Sequence, residues 1–105
     1  MSARIDILFP NTGTVRPAGP EIIWRASKAD LTELIYALVE SQALGAGLDI
    51  KSVSEILQQA FGIHIANIYA TYEDIRLRKK NRTPFMDSLK TALIRRIDND
   101  DLYAP

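Results

Sequence analysis

The sequence predicts a mainly α, four-helix domain preceded by one or two short strands. Three observations predict it. Apolar residues recur with helical spacing in four separate runs, capping residues or glycines bracket those runs, and 105 residues suffice for one core but not for two comfortable ones. Hydrophobic residues at 47% and charged residues at 25% are ordinary globular values and argue against disorder.

Residues 1–20 read as an N-terminal arm or an edge hairpin. Pro10-Asn11-Thr12-Gly13 is a turn signal, and Pro17, Gly19 and Pro20 follow it. Ile5-Asp6-Ile7-Leu8-Phe9 has strand propensity, and Glu21-Ile22-Ile23-Trp24-Arg25 is the better strand, being β-branched and aromatic. Trp24 either pairs into a small sheet or packs over the first helix.

Residues 21–98 form the predicted helical domain. Ser27 with Asp30 three residues later marks a helix start, and Leu31, Leu34, Ile35 and Leu38 make one apolar stripe over about 28–42, stopped by Gly45 and Gly47. Ser52-x-x-Glu55 is a second capping box; its helix carries Val53, Ile56, Leu57, Ala60 and Phe61 and closes at Gly62. A short corner, Gly62-Ile63-His64, leads to Ile65, Ile68, Tyr69, Tyr72 and Ile75, so a helix-turn-helix-like hairpin is expected, with its third helix reaching about Lys80. Thr83 then caps and Pro84 opens a fourth helix with the stripe Phe85, Met86, Leu89, Leu93 and Ile97. From Asp98 the chain reads as frayed, with residues 99–105 an acidic tail.

The charge pattern carries the function. Formal net charge is zero, yet between Arg76 and Arg96 the bases Arg76, Arg78, Lys79, Lys80, Arg82, Lys90, Arg95 and Arg96 face the single acid Asp87. Cations gathered at a helix corner make a surface for phosphates, with an affinity that falls steeply with salt. Arg76, Arg78, Lys79, Lys80 and Arg82 are therefore the expected DNA-phosphate contacts. If the third helix is a reading head, His64, Asn67 and Thr71 lie off its apolar stripe and are the candidates for base edges. Against that pattern, the small residue usual four places before the turn glycine is here Gln58, and no base opens the helix.

Little points to catalysis. His64 is the only histidine and there is no cysteine, so no metal or thiolate site is expected. Glu73 and Asp74 are adjacent and diverge on a helix, and Gly13, Gly45 and Gly47 lack the spacing of a phosphate-cradling loop. An enzyme is not expected, and neither are catalytic residues or a cofactor. No run is long enough to span a bilayer, and Asp6 interrupts any secretory core. These features and the absence of cysteine predict a cytoplasmic protein.

The block Ile23-Trp24-Arg25-Ala26-Ser27-Lys28-x-x-Leu31-x-Glu33-Leu34-Ile35-Tyr36-Ala37-Leu38, the corner Phe61-x-Ile63, and Asn67-x-Tyr69-x-Thr71-Tyr72-x-x-Ile75-Arg76-x-Arg78-Lys79-x-Asn81-Arg82-Thr83-x-Phe85-x-Asp87-x-Leu89 together resemble the C-terminal region of the RteC family. Those proteins are regulators associated with excision of tetracycline-resistance conjugative transposons, and the likeness spans roughly residues 22–97. The resemblance implies a winged-helix or helix-turn-helix-like domain that binds double-stranded DNA and regulates transcription on a mobile element. The rival expectation is a protein-interaction module without DNA binding, a homodimer in which the acidic tail of one copy meets the basic corner of the other.

Overall fold

The computed structural model describes residues 22–103. Four helices follow one another: α1 (Lys28–Ser41), α2 (Ile50–Phe61), α3 (Ile68–Arg76) and α4 (Pro84–Leu102). The predicted Ile5–Phe9 strand and the arm over residues 1–20 lie outside the described residues.

Helix α1 is the hub, because it packs against each of the other three. Its start is local chemistry. The Ser27 hydroxyl accepts from the Asp30 amide at 3.0 Å while the Ser27 amide donates to the Asp30 carboxylate at 3.2 Å, a complete capping box. Neighbours on several sides bury more than the expected stripe: Leu31, Thr32, Glu33 and Ile35 all lie inside. Thr32 satisfies its buried hydroxyl by donating to the Lys28 carbonyl at 2.9 Å. Leu31 and Ile35 form the centre of the core with Val53, Ile65 and Ile68, and Trp24, Leu34, Leu57 and Phe61 pack around them. The helix ends at Gln42, which takes the left-handed conformation (φ 61°) three residues before the predicted Gly45.

Helix α2 starts earlier than Ser52 predicts. Asp49 is the cap, and its carboxylate accepts from the Ser52 amide at 3.2 Å. At the other end Gly62 adopts φ 64° and donates to Gln59 O, while Ile63 N donates to Gln58 O at 3.1 Å. This pair of bonds is a Schellman closure, and its left-handed residue is the one place in the corner that calls for glycine.

The corner to α3 is longer than the sequence predicts. Six residues, Gly62 to Asn67, separate the two helices, so α3 begins at Ile68 and not at Ile65. Gln58 sets this spacing. Its amide donates to Ser54 Oγ at 2.6 Å, and its carbonyl accepts from Ile65 N at 2.6 Å. A small residue would let α3 close on α2; Gln58 instead fills the gap with its own amide, and both helices lean on α1.

The winged-helix expectation is overturned: among the described residues there is no strand. Residues 22–25 run without regular structure, Ile22 and Ile23 are exposed, and a single backbone bond, Trp24 N to Phe61 O at 2.9 Å, ties them to the body. A strand needs a neighbouring ladder, and what lies alongside is the end of a helix. Trp24 packs against Phe61 and Phe85, with ring centroids 5.5 and 5.4 Å apart, and donates from Nε1 to Ser27 O at 2.8 Å. No wing follows α3 either, since residues 77–83 lead directly into α4.

Helix α4 begins as predicted, with Thr83 as cap residue and Pro84 in the first turn, but it runs on through Asp98, Asp100 and Asp101 to Leu102. Only its first turns are anchored. Phe85 and Met86 are half-buried, and no residue of α4 is fully buried. The stripe read as core, Leu89, Leu93 and Ile97, stands largely in solvent.

Candidate nucleic-acid interface

The basic segment lies mostly off the helix. Helix α3 stops at Arg76, so Arg78, Lys79, Lys80 and Arg82 sit on the linker 77–83, which turns through Asn81 in a left-handed conformation (φ 51°). The linker is held by its own arginines. Arg78 Nη1 reaches the Arg82 carbonyl at 3.2 Å and pairs with Glu33 Oε1 at 3.5 Å, where the Glu33 side chain is 5% exposed and that of Arg78 27%. Arg82 Nη2 donates to the Arg76 carbonyl at 3.1 Å, covering the acceptor-rich end of α3.

Glu33 is the residue that organises this region and that the sequence reading passed over. Its second oxygen accepts from Met86 N at 2.8 Å. Thr83 makes no side-chain bond to the backbone of α4, its hydroxyl donating instead to Asp87 Oδ1 at 3.3 Å. A carboxylate from α1 therefore caps α4 from across the fold and meets the favourable end of its dipole. The signal was an acid inside the apolar run Leu31 to Leu38, which periodicity alone assigns to the solvent face.

The five expected phosphate contacts divide into two groups. Arg78 and Arg82 are engaged in the linker, and Arg76 pairs with Glu73 at 3.3 Å on the surface. Lys79 and Lys80 are exposed, and among the described residues neither has a carboxylate within ion-pair distance. Of the terminal aspartates, Asp100 pairs with Arg96 at 3.1 Å, within α4.

The three candidates for base edges fall at the opposite end of α3. His64 and Asn67 line an open groove of about 570 Å³ between α2 and α3, with Lys51, Gln59 and Tyr69. Asn67 also caps the helix, its Oδ1 accepting from Ala70 N at 3.1 Å. Thr71 is half-buried, donates to the Asn67 carbonyl at 3.2 Å and does not line the groove. Between the two ends, α3 exposes Glu73 and Asp74, so its middle is not a surface for phosphates.

A second groove, between α1, α3 and the linker, holds Tyr36 stacked on Tyr72 with centroids 3.8 Å apart and planes 4° from parallel. Burial, with the neighbouring Tyr69, Tyr72 and Glu73, raises the Tyr36 phenol above its ordinary value. Among the described residues no cluster of His, Cys, Asp or Glu could hold a metal ion, and no helix is long and apolar enough to cross a membrane.

Fold and site together define a small helical module built on one central helix, with a pinned basic linker between its last two helices. The chain belongs to the RteC family: the sequence model described as RteC protein matches residues 11–101. Comparisons with curated proteins and with solved structures gave no match.

Proposed function

We propose that this chain is a DNA-binding domain of a regulator that acts on genes of a conjugative transposon. Membership in the RteC family, a family of regulators and not of enzymes, supports the regulatory part. One observation carries the DNA-binding part. Lys79 and Lys80 stand side by side in solvent, with no acid of the described residues in range, on a linker that Arg78 and Arg82 pin to the body.

Held that way, the linker backbone is already ordered when a phosphate arrives, and each lysine displaces counterions from the duplex. Nine-residue α3 is about 13 Å long, close to the ~12 Å width of the major groove. Phosphates at the linker and base edges at His64 and Asn67 are then within reach of one bound duplex. Phosphate contacts set the register, and the groove residues read the sequence.

The test is fluorescence anisotropy with duplex DNA at two salt concentrations. Lys79→Ala with Lys80→Ala should weaken binding to every duplex and lower the salt slope by about two, roughly one per lysine. Affinity and slope equal to those of the parent would remove the proposal.

A further inference from the structure

Helix α4 is tied to the body only at its beginning, where Met86 meets Glu33 and Phe85 meets Trp24. Among the described residues, α1 is the helix it packs against most closely. Leu89, Leu93 and Ile97 recur every four residues on one side and are 40%, 62% and 47% exposed, with Ile94 beside them at 45%. A solvated helix of a small domain ordinarily presents charge there.

We infer that this stripe is the surface by which two copies of the chain associate, α4 against α4, antiparallel. The charges flanking the stripe specify that partner. Lys90 and Asp101 are eleven residues apart, close to three turns of helix, so they share one flank at a separation of about 16 Å. When the helices run antiparallel about a two-fold axis, the same flank of each copy meets the other. Lys90 of each copy then lies level with Asp101 of its mate, Ile94 lies level with Ile97, and Leu93 falls within one residue of Ile97. A parallel pair would instead bring opposite flanks together, leaving Lys90 about three turns away from Asp101 along the axis, while also aligning the helix dipoles unfavourably. On the other flank Arg96 is already neutralised by Asp100 within its own helix. The face of one helix is smaller than the roughly 1,200 Å² of a stable complex, so association is concentration-dependent.

Sedimentation of the full chain across a range of concentrations tests this. The parent should pass from monomer to dimer as concentration rises, and Leu93→Asp should shift that transition at least tenfold upward with an unchanged circular dichroism spectrum. Lys90→Asp and Asp101→Lys should each weaken the dimer several-fold, and the two together should restore it. A parent that stays monomeric throughout overturns the inference. So does a double variant no better than the singles. Neither result bears on the lysines of the linker, since duplex binding by Lys79 and Lys80 is read in the monomer as well.

Discussion

Glu33 shows how one side chain can hold three parts of a fold. Its two oxygens serve the Met86 amide and the Arg78 guanidinium, and it is buried on α1. Glu33→Ala leaves Arg78 facing a cavity and the start of α4 uncapped, and should cost about 3 kcal/mol in a denaturant titration. Glu33→Gln keeps an acceptor for Met86 and should cost about 1 kcal/mol; equal losses for the two would mean the carboxylate acts only through its bulk. Tyr36 supplies a pH dependence. Its phenol is raised above 10.0, chiefly by burial, so the folded state holds that proton more tightly than the unfolded chain. The resulting stability is complete below the ordinary tyrosine value and is lost as pH rises through the raised one. The denaturation midpoint should fall as pH rises above about 10, and Tyr36→Phe should reduce that fall.

Helix starts and helix ends differ in how much of them can be read locally. The Ser27 box was legible, because it depends on a side chain within three residues of the amides concerned, and Pro84 marked the first turn of α4; the carboxylate that caps α4 was not, because Glu33 comes from another helix. Spacing alone carries α3 to about Lys80, because nothing local stops it. It ends at Arg76 because the chain must turn to bring Arg78 to Glu33 and Met86 under the same carboxylate, and those partners come from another helix. The linker therefore separates structural from available cations. Lys79→Ala with Lys80→Ala should leave the thermal midpoint unchanged, with stability within about 0.5 kcal/mol. Arg82→Ala should lower stability by about 1 kcal/mol, since the Arg76 carbonyl loses its donor. Melts in which the lysine pair matters more than Arg82 would reverse these roles.

The molecule is a hub with three spokes, and its stability rests on a small centre. Leu31 and Ile35 are wholly buried, and α1 is the one helix that meets all the others. Ile35→Ala should cost about 2–5 kcal/mol, a large part of the 5–15 kcal/mol typical of a domain, and should loosen α2, α3 and α4 together. Hydrogen exchange that rises in α2 alone would argue for independent units. The bare stripe of α4 follows from the same plan: α1 (14 residues) is shorter than α4 (19 residues), so among the described residues the apolar side of the longer helix has no helix to cover it.

Four helices, the Ser27 cap and a polarised basic segment were written in the order of residues, because each depends on neighbours within a turn or on spacing along the chain. Three matters waited on long-range partners. Residues 22–25 have strand propensity but lie beside the end of α2, where no ladder is offered. The stripe of α4 has helical periodicity, but periodicity says which residues share a side and not whether anything covers it. Lysine and arginine read alike as charge, yet a buried carboxylate and free carbonyls capture Arg78 and Arg82 while leaving Lys79 and Lys80 in water. Each of these turns on which groups the fold brings alongside.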